Sequence, residues 1–246
     1  MNWFTDWFNS PYYDILYKHR DDHEAHSFIR ALFRVLPIRK APRTILDLAC
    51  GNGRHAQSLS EFGSVTGLDI NPLQIQKAQQ RNLAQAEFAI HDMRYLYKAT
   101  YFDYVLNLFS SFGYFDEHSE NQQSIIQVAA SLKPGGIFIQ DFLNYYYVKS
   151  HLKEEETQEM EGVIFTITRK IEGAFIIKNI GIYNTHNGER LSFYEKVRGY
   201  TVKELRLMHK KAGLSLVSLW GDYDLQSFNL KESPRVILVS TKPLSV

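Results

Sequence analysis

Residues 45–56 read Ile-Leu-Asp-Leu-Ala-Cys-Gly-Asn-Gly-Arg-His-Ala, and this stretch decides the fold. A short apolar run contains the carboxylate of Asp47, and a loop with Gly51 and Gly53 then leads into a predicted helix. A strand, a tight turn and a helix N-terminus in this order form the pocket that α/β proteins use for nucleotide-like cofactors. Glycine lets a ligand approach the backbone closely, because no Cβ stands in the way. We therefore expect a cofactor to bind at this loop.

Composition excludes several classes of protein. The 246 residues suit one α/β domain with an insertion, and 28 basic against 27 acidic residues give no global field that would attract nucleic acid. The single cysteine, Cys50, excludes an intramolecular disulfide and fits a reducing compartment. Residues 1–8 lack the features of a signal peptide, and no apolar run reaches the ~18 residues of a membrane span. We expect a cytoplasmic protein that binds neither nucleic acid nor membrane.

From residue 44 onward, predicted strands and helices alternate, which is typical of a parallel sheet with right-handed crossovers. The predicted strands cover residues 44–48, 64–69, 87–90, 101–109, 137–141, 214–220 and 235–241. The predicted helices cover residues 53–62, 71–84, 119–132 and 201–212. This pattern predicts an α/β fold in which residues 1–246 form a single domain.

Two segments stand outside this alternation. Residues 1–36 are rich in aromatic residues and predicted to be helical, with Ser10 and Pro11 as a cap and first-turn pair. They either only pack against the domain or form an N-terminal flap over the cofactor. Residues 145–200 pass from a charged stretch into alternating apolar and polar residues around a turn at 184–188, which is typical of hairpins. We expect an inserted antiparallel β lid that covers the functional edge of the sheet.

The glycine loop alone leaves two cofactors open. Residues 51–56 match the dinucleotide fingerprint, and Asp69 could bind the ribose hydroxyls of either NAD or S-adenosylmethionine. Asp47 favours S-adenosylmethionine, because a carboxylate beside the loop repels a pyrophosphate and attracts an ammonium and a sulfonium. Asp92 and Met93 follow the third predicted strand, where a carboxylate could accept a hydrogen bond from the adenine amino group.

Several motifs, taken together and in order, resemble the class I S-adenosylmethionine-dependent methyltransferases. They are residues 45–53, 67–69, 91–93, 102–107 and 132–136. The resemblance covers residues 40–145 and, more loosely, the later helix and strands; it implies a Rossmann-like seven-stranded sheet in the order 3-2-1-4-5-7-6 with strand 7 antiparallel. Ala49 stands where the family usually has glycine. Residues 110–115 and the late β insertion are similar to members that act on small molecules, including N-methyltransferases of amino sugars and amino acids.

The resemblance also implies which residues contact the cofactor. Asp47 and the 49–53 backbone would meet its methionine end, Asp69 its ribose, and Asp92 its adenine. Asn107 would offer a backbone oxygen near the methionine amine. The full set of implied cofactor residues is Asp47, Ala49, Cys50, Gly51, Asn52, Gly53, Asp69, Ile70, Asp92, Met93, Asn107 and Leu108.

Methyl transfer from a sulfonium is a direct displacement, so the protein must chiefly align the reactants, and a general base is optional. The catalytic candidates are Tyr17 and His19 in the flap and Tyr114 after the fourth strand. A lone histidine among charged residues is more often a surface residue than a base, and Tyr114 could simply line the pocket. Glu195 and Arg198 lie on opposite faces of a predicted strand, so at most one faces the pocket.

The substrate class follows from what the predicted flap and lid contain. Because they are rich in tyrosine and phenylalanine and have no basic stripe, we expect a small or amphipathic acceptor rather than nucleic acid. We also expect no metal site. Asp103 is expected to be a solvated turn acid rather than a ligand. The sequence therefore predicts transfer of a methyl group to a nitrogen or oxygen of a small molecule. The alternatives are an NAD(P)-dependent oxidoreductase and a non-catalytic methyltransferase-like binding module.

Overall fold

The computed structural model describes residues 3–18, 22–37 and 43–244 of the chain. Its strands are β1 (Thr44–Leu48), β2 (Ser64–Asp69), β3 (Ala86–Ile90), β4 (Phe102–Asn107), β5 (Leu132–Leu143), β6 (Glu155–Met160), β7 (Val163–Glu172), β8 (Phe175–Asn184), β9 (Arg190–Arg198), β10 (Ser215–Trp220) and β11 (Arg235–Thr241). Its helices are α1 (Trp3–Asn9), α2 (Pro11–Leu16), α3 (Asp22–Val35), α4 (Arg54–Leu59), α5 (Pro72–Gln80), α6 (His118–Ser131), α7 (Tyr145–Ser150) and α8 (Val202–Lys211).

Seven of the strands form one sheet in the order β10-β11-β5-β4-β1-β2-β3. The first five strands are parallel, and β11 runs antiparallel to both β5 and β10. The predicted order and the antiparallel last strand are therefore confirmed. A sheet of this kind carries its ligands beyond the carboxyl ends of its strands, where neighbouring connections leave on opposite faces.

Helices cover both faces of this sheet, so its central strands are buried on both sides. Adjacent residues of β1 point to opposite faces of the sheet. Ile45 belongs to the same apolar cluster as Leu59 of α4, and Leu46 belongs to the other cluster, with Ile125 of α6. All residues of β4 are buried, as expected for a strand covered on both faces. Across the three described ranges, no helix is long and apolar enough to span a membrane.

Asp103 is one place where the structure differs from the expectation. It lies inside β4, is 5 % exposed, and accepts hydrogen bonds from Thr44 N at 3.0 Å and Lys133 Nζ at 2.8 Å. Burial raises the pKa of this carboxyl, but the Lys133 and Thr44 hydrogen bonds outweigh it and leave the pKa below its usual value. The expectation of a solvated acid was wrong, because its partners are distant in sequence.

The charge of residues 153–156 favours a solvated loop or helix, but the structure shows that this stretch leads into a strand. After α7, the chain enters β6, in which Glu155, Thr157 and Glu159 are exposed and the alternate residues are partly buried. Charges on the outward face of an edge strand discourage pairing with other chains. The end of the stretch, Glu155 and Glu156, thus begins the first strand of a second sheet.

This second sheet has four antiparallel strands in the order β6-β7-β8-β9. Its inner face carries Phe165 and Ile180, which pack in one apolar cluster with Trp7 of α1 and Leu16 of α2. The two short N-terminal helices are therefore joined to this sheet by their apolar residues. Ser10 starts α2, and its side chain accepts from Tyr12 N, as the predicted cap requires.

Candidate cofactor and acceptor site

A cavity of about 960 Å³ opens at the carboxyl edge of the seven-stranded sheet. Residues of the loops after β1 to β4 line it, together with residues of α1, α2 and β9. The predicted site residues that line it are Tyr17, Asp47, Ala49, Cys50, Gly51, Asn52, Asp69, Ile70, Asp92, Met93, Leu108 and Tyr114. The structure thus brings together residues from Tyr17 to Tyr114, which are far apart in the sequence.

The remaining predicted site residues are placed differently. Gly53 is the N-cap of α4, and neither it nor Asn107 is part of the cavity lining. The Asn107 side chain instead donates to the carbonyl oxygens of Leu48 and Ser111, both at 3.0 Å. It therefore ties the end of β1 to the loop after β4. His19 lies outside the described residues.

The glycine loop leaves its backbone open to the cavity. Gly51 has a φ of +54°, and a Cβ built on it would meet no atom within 4 Å. Its amide donates to Asp69 Oδ2 at 2.8 Å, which couples the loop to the end of β2. Ala49, which stands where the resemblance predicts glycine, has a φ of +59°. A side chain thus occupies a left-handed position that glycine adopts at lower cost.

Asp47 is the most unusual group in the cavity. Its side chain is 1 % exposed, and its Oδ2 has no hydrogen-bond partner within the described part of the chain. Burial, with a smaller contribution from Asp69, raises its pKa to about 7, while Arg54 opposes the shift. A buried carboxylate without a hydrogen-bond partner is costly unless a cation or a donor meets it. The position therefore fits a positively charged ligand.

Asp69 lies next to Asp47, where the ribose of a cofactor is expected. Its Oδ1 accepts from Asn71 N at 2.9 Å, and Asn71 in turn caps α5 by accepting from Leu73 N and Gln74 N. Burial raises the pKa of Asp69, and its backbone hydrogen bonds only partly offset this effect. Because Asn71 performs the capping, the Asp69 carboxylate remains available to ligand hydroxyls.

Asp92 has a partner that sequence reasoning missed. Arg94 Nη2 lies 2.6 Å from Asp92 Oδ2, and Arg94 also bonds Glu120 Oε1 at 2.5 Å. Burial raises the pKa of Asp92, but the Arg94 hydrogen bonds outweigh it and hold the pKa below its usual value. Arg94 donates to both oxygens of Asp92, from its backbone N and Nε to Oδ1 and from Nε and Nη2 to Oδ2, and so fixes the carboxylate. The two residues are only two positions apart, and this spacing could have predicted their ion pair from the sequence.

Arg235, which the sequence analysis also did not identify, lies on the cavity. Arg235 starts β11, and its Nε donates to Asp141 Oδ1 at 2.8 Å while its Nη2 donates to Ser110 Oγ at 2.9 Å. Asp141 is fully buried and also accepts from Phe109 N at 2.7 Å. Because Asp141 lies in β5 and Arg235 lies in β11, no local sequence motif could predict this pair. It fixes the start of the loop that follows β4.

His55 lies beside this loop and stays neutral. Its ring stacks on Phe109, with centroids 4.9 Å apart, and Arg54 lies over the same Phe109 ring. Burial, assisted by Arg54 and Arg81, lowers the pKa of His55 to about 3. At neutral pH the ring therefore brings no positive charge to the end of the cavity where Asp47 lies.

Aromatic rings from α1 and from the loop after β4 form one wall of the cavity. Trp3, Phe4 and Phe8 of α1 line the cavity together with Tyr114 from the loop after β4. The ring centroids of Trp3 and Tyr114 are 5.1 Å apart, and those of Phe4 and Tyr114 are 6.0 Å apart. The α1 rings were not among the predicted site residues, although Phe4 and Phe8 are one helical turn apart. An aromatic wall suits an apolar or cationic ligand.

A polar cluster adjoins this wall. Glu195 lines the cavity and Arg198 does not, in keeping with their positions on opposite faces of β9. Glu195 Oε1 accepts from Tyr17 Oη at 2.6 Å and from Trp7 Nε1 at 2.7 Å. Lys178 Nζ donates to Tyr17 Oη at 2.6 Å. Groups from α1, α2, β8 and β9 thus meet at one point of the cavity.

Known proteins resemble this chain both in sequence and in structure. Residues 45–136 match the methyltransferase domain family. A dTDP-3-amino-3,6-dideoxy-alpha-D-glucopyranose N,N-dimethyltransferase from Streptomyces fradiae is 31 % identical over 134 residues, which are 52 % of this chain and 50 % of that protein. The curated relatives above 30 % identity are matched over only 40–50 % of their length.

Solved structures match nearly the whole chain. An S-adenosylmethionine-dependent methyltransferase from Clostridium acetobutylicum superposes with a TM-score of 0.80 at 20 % identity, over 94 % of this chain and 96 % of that one. An S-adenosylmethionine-bound amino pentose methyltransferase from Micromonospora echinaspora gives a TM-score of 0.71 at 19 % identity, over 95 % and 97 %. At these identities the likeness shows the fold.

The prediction of S-adenosylmethionine as cofactor agrees with both the sequence and the structure comparisons. The domain match and the S-adenosylmethionine-bound neighbour support S-adenosylmethionine, and the unpartnered carboxylate of Asp47 fits its ammonium and sulfonium. Neither comparison favours a dinucleotide. Residues 45–136 match a methyltransferase domain family, and the chain as a whole has the Rossmann-like fold seen in solved S-adenosylmethionine-dependent methyltransferases.

Proposed function

We propose that this chain transfers a methyl group from S-adenosylmethionine to a nitrogen or oxygen of a small molecule. The observation that carries the proposal is the buried Asp47 carboxylate, whose Oδ2 has no partner among the described residues and lies on the cavity. A carboxylate in this position attracts a sulfonium amino acid and repels the pyrophosphate of NAD. The methyltransferase domain match supports the same choice over an oxidoreductase.

The residues at the strand ends hold the cofactor in this proposal. Asp47 faces the positive charges of the methionine end, Asp69 accepts from the ribose hydroxyls, and Asp92 accepts from the adenine amino group. The Gly51 backbone passes close to the ligand because no Cβ intervenes. When bound, S-adenosylmethionine supplies the reactive methyl group. The protein's contribution is alignment and exclusion of water, which can accelerate such a displacement by several powers of ten.

The N-terminal helices and the second sheet cover the acceptor in this proposal. Residues 1–36 act as a flap and residues 145–200 as a lid, within a single domain that spans residues 1–246. The aromatic wall, formed by rings of α1 such as Trp3 and by Tyr114 from the loop after β4, excludes water from the reacting atoms. The cavity volume of about 960 Å³ is enough for a cofactor and a small acceptor together.

An amine is the acceptor class that we favour. The Streptomyces fradiae relative is named for methylation of an amino sugar, and the aromatic wall with Glu195 suits a group that can carry positive charge. An amine can also attack in its neutral form without a strong base, whereas a hydroxyl usually needs one. Tyr17 and Tyr114 remain the catalytic candidates because both line the cavity.

Calorimetric titration with S-adenosylmethionine, S-adenosylhomocysteine and NADH tests the cofactor. We expect the first two to bind and NADH to bind far more weakly. A panel of amino sugars and amino acids, assayed for release of S-adenosylhomocysteine, then tests the transfer. Tight NADH binding without S-adenosylmethionine binding would contradict the proposal. Cofactor binding without transfer to any acceptor would instead favour a non-catalytic module.

A further inference from the structure

The polar cluster beside the aromatic wall contains more charge than a packing contact needs. Lys178 and Glu195 face each other across the β8–β9 pair, and Tyr17 follows the last residue of α2. Their side chains are mostly covered, with Lys178 14 % and Glu195 19 % exposed. Burying an ion pair costs desolvation energy, so such a pair is poor evidence for a purely stabilising role.

The hydrogen bonds of the cluster leave one oxygen of Glu195 available. Tyr17 Oη and Trp7 Nε1 both donate to Oε1. Oε2 lies 3.9 Å from Lys178 Nζ, which is beyond hydrogen-bond distance, and no other donor within residues 3–18, 22–37 and 43–244 reaches it. Glu195 itself belongs to the cavity lining. The carboxylate is therefore held by one oxygen and can accept a ligand's N–H with the other.

The surroundings of Glu195 favour an amine over an alcohol. The Trp3 and Tyr114 rings line the same cavity, and aromatic faces attract cations as a carboxylate does. A protonated amine, however, has no lone pair with which to attack a methyl group. Lys178, which donates to Tyr17 Oη and lies near Glu195, counters a second positive charge at this point. The cluster can thus recognise an amine without holding it strongly as an ammonium.

We propose that Glu195 Oε2 accepts an N–H of the acceptor amine, that Tyr17 and Trp7 position this carboxylate, and that Lys178 limits the positive charge on the bound amine. This assignment rests on the proposed function and names the group that recognises its substrate. Glu195 and Lys178 then have opposite effects on the binding of a cationic amine. A merely structural pair would lose binding in the same direction whichever partner was removed.

The test uses cyclohexylamine and cyclohexanol as matched probes on protein saturated with S-adenosylhomocysteine, with dissociation constants from ligand-observed NMR titrations at neutral pH. We expect the wild-type protein to prefer the amine by about tenfold, the effect of one charge-assisted hydrogen bond. Glu195→Gln should abolish the preference by weakening only the amine. Lys178→Met should strengthen amine binding about threefold or more while the alcohol is unchanged.

Glu189→Gln is the matched control. Tyr12 Oη donates to Glu189 Oε2 at 2.5 Å, so this variant also weakens a tyrosine–glutamate contact between α2 and the hairpin that precedes β9. Glu189 is not part of the cavity lining, and the amine preference should survive. Binding of S-adenosylhomocysteine to each variant verifies that it is folded. If Glu195→Gln fails that check, the wild-type preference and the sign of the Lys178→Met effect decide the matter.

Three results would overturn the assignment: equal binding of the two probes to the wild-type protein, equal effects of Glu195→Gln and Glu189→Gln, or weaker amine binding in Lys178→Met. If the wild-type protein did not bind S-adenosylhomocysteine, the proposed function would fail and the assignment with it. Cofactor binding without an amine preference overturns the assignment alone.

Discussion

We assign one half of the cavity to the cofactor and the other to the acceptor, and these two proposed halves are built in different ways. The cofactor half uses the ends of β1, β2 and β3, which are neighbours in the sheet. Asp47 and Asp69 lie at the ends of β1 and β2, and Asp92 follows β3. The acceptor half uses side chains from α1, α2, β8 and β9, which meet only through packing of the second sheet. The first half is fixed by backbone geometry, whereas the second depends on contacts between segments up to 188 residues apart.

This difference teaches that the two halves should respond separately to mutation. Removing a carboxylate at a strand end should change cofactor affinity without disturbing the aromatic wall. Removing a side chain of the polar cluster should change acceptor recognition and leave cofactor binding intact. The probe experiment on Glu195 tests whether acceptor recognition can change while cofactor binding is kept. Variants at the strand ends test whether cofactor affinity can change while acceptor recognition is kept.

The largest effect is expected for Asp47→Asn. The variant removes the buried charge that faces the ammonium and sulfonium, so S-adenosylmethionine affinity should fall by about 2–3 kcal/mol. Calorimetry measures this loss, with Asp14→Asn as control, because Asp14 also lines the cavity but is half exposed and paired with Lys77. An unchanged dissociation constant would place the positive charges of the cofactor away from β1. A loss of the amine preference in the same variant would break the independence of the halves.

Cofactor affinity should also depend on pH. The pKa of Asp47 is raised to about 7 by burial, so below that pH the free protein must release a proton before the carboxylate can meet a cation. Affinity for S-adenosylmethionine should therefore rise with pH between 5.5 and 7, by up to about tenfold per unit. The pKa of His55 is lowered to about 3, so this group does not titrate in the window. Titrations at several pH values should lose the slope in Asp47→Asn, and a slope that persisted would assign it to another group.

The same shift has an opposite consequence for stability. Because the folded pKa of Asp47 is raised, its contribution is fully present at low pH and is lost as pH rises through about 7. In the absence of cofactor, Asp47→Asn should thus raise the melting temperature at pH 8 more than at pH 5. Thermal unfolding of both proteins at the two pH values measures this. A variant that is less stable at pH 8 would mean that the carboxylate is stabilised by groups of the protein itself.

Asp69→Ala should have a smaller effect on the cofactor half. It removes the acceptor for the ribose hydroxyls, and affinity should fall by more than about 1 kcal/mol. Part of the loss comes from the Gly51 and Asn71 amides, which bond this carboxylate in the unliganded protein. Asp69→Asn separates the two contributions, because it retains one acceptor for these amides. Unchanged affinity in both variants would mean that the ribose is held elsewhere.

The contrast between the halves also explains how much of the molecule could be predicted from sequence. The glycine loop and the carboxylates at Asp47 and Asp69 depend on short-range patterns, and the structure places them on one cavity. The strand order was implied by the family resemblance and not by any local pattern. The Arg235–Asp141 pair and the burial of Asp103 depend on strand neighbours that no local pattern specifies. Apolar periodicity indicates that a helix packs, but not which wall of a cavity its rings will form.

The smallest effect, and the sharpest test of a backbone-built cofactor half, is expected for Ala49→Gly. Ala49 has a φ of +59°, where glycine is favoured, although glycine also gains more entropy on unfolding. The balance should stabilise the protein by about 0.5 kcal/mol and raise its melting temperature by about 1–2 °C. Ala56→Gly, in the interior of α4, should instead destabilise it by about 1 kcal/mol. If both variants were destabilising, packing of the Ala49 methyl group would stabilise the loop more than its backbone strain costs. The cofactor half would then depend on side-chain contacts, as the acceptor half does.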